Sequence, residues 1–416
     1  MKRSFIAAAV VFSVAPQLAA AQDADRGRNE SVTKRQRPEY DALGVRLGAF
    51  EVKPEVKFGV ETNDNIFPQN IVSQDDVIYS IAPTIAATSD WSRHMLRARV
   101  SSDSNFHQDF DGEDRTNVNV DGEFRLDVGS AGSLSVGGFY TDGSEPRTSP
   151  DSPATALSPI DFTISDYYAS AMYTFNRVRA SARLERAVYD YSDVGAVGGG
   201  ILDEDYRDHD ETTSTLRMEY AVNPGVALVA YGSYLRSEYD LNPPAVAVDR
   251  DSDGYRVMVG ANADLTNLLR GELTVGYMSQ EWDTAGVSVD GLAVEAEAEY
   301  FITRITTISA FAHRRVEETG VFPAAGKSVT AGGLRVDHEL LRNVLLTAGA
   351  DYAKEEYEGA DREDKNWNAD IGATYLMNRH ASWDARYYYT DWKSEGVNRG
   401  FDYDVNRFMI SLTLKI

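Results

Sequence analysis

The sequence contains no cysteine. In an exported chain this excludes a disulfide framework and any thiolate metal site. Positive charge is scarce: 41 Lys and Arg stand against 65 Asp and Glu, for a formal net charge of −24. Such a chain lacks the cationic face that nucleic-acid binding needs, so no nucleic-acid partner is expected. Long hydrophobic runs are missing beyond the first residues, and nothing there approaches the roughly 20 apolar residues of a membrane-crossing helix. Catalytic signatures are missing too. The six histidines, His94, His107, His209, His313, His338 and His380, form no H-E-x-x-H and no paired ligand spacing, and there is no nucleophile elbow. No enzymatic activity and no cofactor are expected.

What is present begins with an address. Lys2 and Arg3 precede a short apolar core, Phe5 to Val14, and Ala19-Ala20-Ala21 fits the small-residue cleavage rule. Residues 1–21 are therefore expected to be a cleaved signal peptide. Subtracting the charges of Lys2 and Arg3 from −24 leaves −26 for the mature chain. Residues 22–45 are polar, mix both charges and lack apolar periodicity, so they read as a flexible periplasmic tail.

From residue 46 to 416 the text alternates. Phe50, Val52, Pro54, Val56, Phe58 and Val60 share one face, and Glu51, Lys53, Glu55, Lys57 and Glu61 the other. Pro54 is expected at a bulge or near the membrane edge. The same pattern recurs through Val118–Leu126, Tyr167–Phe175, Ala227, Val229 and Tyr231, Leu292–Tyr300, Trp367–Met377 and Phe408–Ile416. Counted along the chain it gives about eighteen strands, an even number within the range of bacterial barrels. Connections alternate in length: short ones such as Asn176-Arg177 and Asn378-Arg379 alternate with long ones near residues 142–163 and 192–207. Eight short and nine long connections suit about eighteen strands with both termini in the periplasm.

Composition agrees. There are 23 Tyr, 16 Phe and 5 Trp, yet mean hydropathy is negative, as expected where lipid-facing and water-facing residues alternate. Tyr140, Tyr189, Tyr191, Tyr239, Tyr277, Trp282, Tyr389 and Trp392 are expected in an aromatic girdle at the long-loop ends, and Trp91, Tyr173, Phe175, Tyr220, Tyr300 and Phe301 in one at the short-turn ends. The apolar alternation of the last strand resembles the C-terminal signal read by the barrel-assembly machinery, although Ile416 stands where an aromatic is usual. The expected fold is all-β: one closed, antiparallel transmembrane β-barrel in the outer membrane of a Gram-negative cell, bathed in lipid and lipopolysaccharide.

If the apolar face meets lipid, its neighbours face the lumen. These lumen-facing candidates are Arg97, Arg99, Asp121, Glu123, Arg125, Arg179, Arg183, Arg217, Glu295, Glu297, Glu299, Asp384 and Arg386. A barrel this wide cannot be filled by its own side chains, so a wet, charged interior is affordable. Two readings remain open: a conduit for polar solutes, or ion pairs that only stiffen the wall. The long loops are acidic. Asp249, Asp251 and Asp253 spell a D-x-D-x-D-G run, but the helices and distal Glu of a calcium-binding EF-hand are missing, and no metal site is assigned.

The block Gly44-Val45-Arg46-Leu47-Gly48-Ala49-Phe50, followed by Pro54 and by Asp64-Asn65-Ile66-Phe67, resembles the N-terminal block of the bacterial family named putative β-barrel porin 2. Gly44 and Gly48 also read locally as bends into the wall. Members of that family are often linked to exopolysaccharide systems. The resemblance thus implies a porin-like conduit taking part in polysaccharide export, with polysaccharide or its export proteins as partners. A general diffusion porin for small polar solutes is the alternative, and a non-transporting surface barrel the third.

Overall fold

The computed structural model describes residues 30–68, 72–242, 246–284 and 286–416. The expected leader and residues 22–29 of the expected tail lie outside them. The strands are β1 (Val45–Leu47), β2 (Phe50–Asn63), β3 (Asp76–Ser89), β4 (Met95–His107), β5 (Arg115–Val128), β6 (Gly132–Ser144), β7 (Asp161–Phe175), β8 (Val178–Tyr191), β9 (Val194–Gly195), β10 (Ile201–Leu202) and β11 (His209–Asn223). They continue with β12 (Val226–Tyr239), β13 (Ser252–Asp264), β14 (Leu269–Trp282), β15 (Ser288–Thr303), β16 (Thr306–Glu317), β17 (Gly326–Leu341), β18 (Val344–Glu358), β19 (Glu363–Leu376), β20 (Ala381–Glu395) and β21 (Tyr403–Lys415).

Eighteen of these, β2–β8 and β11–β21, form the barrel. Each pairs antiparallel with its neighbour in the chain, and β8 pairs with β11 across the small β9–β10 hairpin. The ring closes where Glu55–Asn63 of β2 meets Arg407–Lys415 of β21. Closure removes both sheet edges, which is what lets strands cross a bilayer. Below that seam β1 takes over from β21, pairing Val45 with Val52 and Leu47 with Phe50. Pro54 sits at the handover, its carbonyl accepting the Ile416 N–H at 3.2 Å. There a residue without an N–H costs the ladder little. Gly44 and Gly48 adopt φ of 73° and 62° on either side of β1, the left-handed region that favours glycine.

The outward face carries the apolar stripe. Phe124, Val136, Leu184, Val259, Leu334, Ile371 and Ile410 are all exposed on it. One strand departs from the expected orientation. On β12 it is Leu228 and Tyr234 that are exposed, whereas Ala227, Val229 and Tyr231 are buried inside. The stretch Val226–Tyr231 is apolar on both alternating faces, so alternation alone could not orient it. The inward set packs there because Tyr231 joins Met258, Met278, Trp282, Val289, Ala293 and Ala325 in an apolar cluster inside the barrel.

The girdles are corrected by the same parity argument. Tyr140, Tyr277, Trp91, Tyr173, Phe175, Tyr220 and Tyr300 are exposed. Tyr239, Trp282, Trp392 and Phe301 are buried. Trp282 shares its face with inward Met278 and Gln280, and Tyr189 and Tyr191 share theirs with inward Ala187. These rings serve the interior, not the lipid boundary.

Candidate functional site

The inner wall is organised by a spacing of two. In a strand, residues i and i+2 share a face, so each Arg-x-Asp or Arg-x-Glu puts a cation beside an anion. Arg125 meets Asp127 at 3.0 Å, Arg183 meets Glu185 at 2.5 Å, Arg217 meets Glu219 at 2.8 Å, Arg315 meets Glu317 at 2.6 Å and Arg335 meets Asp337 at 3.1 Å. Cross-strand pairs add to these: Arg97 with Glu123 at 2.7 Å and Arg386 with Asp370 at 3.1 Å on neighbouring strands, and Arg217 with Glu272 at 2.7 Å and Arg256 with Glu295 at 3.0 Å across intervening ones. Arg179 approaches Glu219 at 3.8 Å, and Arg386 approaches Asp384 at 3.6 Å. Arg99 stands opposite Asp121 in the β4–β5 register. The Glu295, Glu297, Glu299 column is divided: Arg256 takes Glu295, while Arg270 and Lys34 take Glu299. Glu297 has no salt bridge among the described residues. Sequence reading did not single out Arg256, Glu272, Arg270, Arg315 or Arg335, although the recurring Arg-x-acid spacing was there to find them.

At the periplasmic end the expected flexible tail is docked from its first described residues. The Val32 N–H donates to Thr307 Oγ1, Lys34 pairs with Glu299 at 3.1 Å, and Arg37 pairs with Glu339 at 2.8 Å. Thr307, Glu299 and Glu339 all belong to the inner face of β15–β17, so residues 31–37 lie against the lumen wall. Arg342 then holds Glu39, and Arg379 holds the Pro38 carbonyl, as the chain returns to the seam. The tail lacks apolar periodicity because ion pairs and backbone contacts hold it, not a greasy face.

At the outer end the long loops fold over the opening. The β6–β7 loop, residues 145–160, reaches across it. Asp151 accepts hydrogen bonds from Thr319 Oγ1 at 2.6 Å and the Gly320 N–H at 2.8 Å, both on the β16–β17 loop. Eight strands lie between the two loops on one side of the ring and ten on the other, so the bridge runs nearly across a diameter. Three more ties fix it. Arg147 forks onto Glu113 at 2.7 and 2.9 Å, Arg207 onto Glu145 at 2.9 and 3.1 Å, and the Tyr403 hydroxyl donates to the Thr148 carbonyl at 2.9 Å. Tyr206 donates to the Gly320 carbonyl at 3.0 Å.

Burial and neighbouring charge together move the acids of the mouth in opposite directions. It works to raise the Asp151 carboxyl, but Lys327, Arg207 and the bonds from Thr319 and Gly320 outweigh it and hold the group below its ordinary value. Burial, reinforced by Glu211, pushes Glu318 up to about 7, although Tyr239 and Gln280 both donate to it. Asp208 is pushed up to about 6, chiefly by burial.

Beneath the bridge lies a cavity of about 350 Å³, lined by Arg183, Tyr189, His209, Tyr239, Arg250 and Glu318 among others. His209 is sandwiched between the rings of Tyr189 and Tyr239, with centroids 4.4 and 4.6 Å away. The ring is thus a packing element of the cavity wall. The aspartates of the β12–β13 loop are redistributed. Asp249 and Asp251 gather with Asp283, not Asp253. Asp253 is outward and accepts the Tyr234 hydroxyl at 2.5 Å, because its parity on β13 is that of lipid-facing Tyr255. Asp251 caps the Tyr239 N–H at 2.6 Å and Asp249 the Asp251 N–H at 3.2 Å, which are turn-forming roles.

Among curated proteins no significant match is found. Among solved structures the chain is similar to Pseudomonas aeruginosa OpdQ, at 13% identity and a TM-score of 0.48, covering 91% of this chain and 100% of that one. It is similar to Pseudomonas aeruginosa OpdL at 14% identity and a TM-score of 0.45, covering 89% and 100%. It is also similar to Acinetobacter baumannii OccAB4 at 10% identity and a TM-score of 0.45, covering 88% and 98%. Residues 37–416 match the family described as Putative beta-barrel porin 2. With the closed eighteen-strand wall, that match makes this chain a porin-like outer-membrane β-barrel belonging to the Putative beta-barrel porin 2 family.

Proposed function

We propose that the barrel is a diffusion porin for small polar solutes, and that polysaccharide export, implied by the sequence resemblance, is the weaker reading. The observation that carries this is the bridged mouth. A loop tied at Glu113, Arg207, Tyr403 and Gly320 divides the opening, and the space under it, about 350 Å³, is the size that accommodates a small molecule. A polymer chain would need the whole bridge withdrawn, against several buried ionic contacts at once. The paired charges of the wall suit polar cargo of either sign, since each ion pair offers a donor and an acceptor to a passing solute. No residue is assigned a catalytic role. Lipid, lipopolysaccharide and the barrel-assembly machinery are the partners this reading implies.

Proteoliposome swelling with sugars of increasing size tests it. Mono- and disaccharides should enter and larger oligosaccharides should not. Exclusion of every sugar, together with loss of surface polysaccharide on deletion of the gene, would overturn the proposal in favour of export.

A further inference from the structure

Arg250 is the exception among the buried arginines of the mouth. Arg147, Arg207 and Arg362 each bind a carboxylate. Arg250, on the β12–β13 loop, is 4% exposed. Its guanidinium lies over the rings of Tyr206 and Tyr239, with centroids at 5.0 and 5.9 Å. It forms no salt bridge with the described residues, and Nη1 is buried without an acceptor. The nearby acid Glu318 is engaged by Tyr239 and Gln280. A buried guanidinium with an unmet donor is costly to keep unless something completes it. Arg250 is one of the residues that line the cavity beneath the bridge.

We propose that Arg250 is the anion-recognising residue of a solute-binding site in this cavity, which takes small organic anions whose carboxylate or phosphate meets the guanidinium while their body lies against the tyrosine rings. Tyr189 and Tyr239 line the same cavity beside the charge, each with one ring face covered by His209, and a planar guanidinium matches either anion. The proposal rests on the porin reading and specifies its preferred cargo.

The test uses the mature barrel in planar bilayers carrying KCl current, with benzoate, phenyl phosphate and benzylammonium as probes. Benzoate or phenyl phosphate should block the current saturably, and benzylammonium should not. Arg250→Gln should raise the half-blocking concentration roughly tenfold or more, with Arg250→Lys intermediate. Heat-modifiable gel mobility reports that each variant is folded. Stronger block by phenyl phosphate assigns the site to phosphorylated solutes, and stronger block by benzoate assigns it to carboxylates. Equal block by benzylammonium, or block unchanged in a folded Arg250→Gln, overturns the anion site. A barrel that carries no KCl current defeats the porin reading instead. Calorimetric titration of benzoate into the detergent-solubilised barrel then decides the site alone, and absence of heat rejects it.

Discussion

In the wall, every strand bonds to the strand before and after it, with β8 and β11 adjacent across one loop and a single long-range seam at β2 and β21. In the outer mouth the ties join residues far apart in the chain: Asp151 to Thr319, Glu145 to Arg207, Thr148 to Tyr403. The wall is many weak, repeated backbone contacts between local partners, with its greasy side left to lipid. The mouth is a handful of buried, charge-assisted contacts with no repetition. Damage to the wall should therefore spread through assembly of the whole barrel, whereas damage to the mouth should stay local and change what passes.

The largest effect is expected at the mouth. Arg207→Ala leaves Glu145 and Glu204 buried without their cation, and should weaken docking of the loops by about 3–5 kcal/mol. Hydrogen exchange should rise over residues 145–160 and 318–325 while the strands stay protected. If strand protection collapses too, the separation of wall from mouth fails.

The wall is probed next. Ala296→Arg, Ala373→Arg or Leu228→Arg places a cation in hydrocarbon and should cost about 2–4 kcal/mol near the midplane in urea refolding into lipid vesicles. Leu228→Arg outweighing Val229→Arg would support the reassigned face of β12, and the reverse order would restore the alternation first read there. At the periplasmic end, deleting residues 22–36 removes ion pairs with partly exposed cations, Lys34–Glu299 and Arg35–Glu339, each worth about 0–1 kcal/mol. Barrel stability should hardly change, and single-channel conductance should increase.

Proton uptake sharpens the comparison at smaller cost. Glu318 is raised from an ordinary 4.5 to about 7, first by burial and then by Glu211, with His209, Tyr239 and Arg250 opposing. The docked loop therefore keeps a proton that an undocked loop releases above about 4.5. Docking is strongest below that pH and is lost progressively as pH rises to about 7. Conductance traces should grow noisier across that window, and Glu318→Gln should flatten the dependence. The smallest effect belongs to Glu297→Gln, which removes no salt bridge among the described residues and should leave stability nearly unchanged.

Much of the wall was legible because the bilayer enforces period two. The strand count, the alternating connection lengths and the placement of Pro54 all follow from that rule and from closure. It fails on β12, where both faces are apolar, and for Tyr189, Tyr191, Tyr239, Trp282, Trp392 and Phe301, whose parity turns them inward although their residue type suits a lipid anchor. The lumen pairs were half legible: individual charges were found on the inner face, but their partners depend on register. The bridge from Asp151 to Thr319 could not be read at all, because nothing local marks two loop residues 168 positions apart as neighbours. The docking of residues 31–37 was hidden for the same reason.

The absence of native cysteine permits the most direct test, a disulfide between Asp151→Cys and Thr319→Cys, with sugar flux measured in oxidised and reduced proteoliposomes. A porin that works around a standing bridge should form the cross-link readily and pass small sugars at comparable rates in both states. A pair that never oxidises, or a locked barrel that stops all small-solute flux until reduced, would contradict the account.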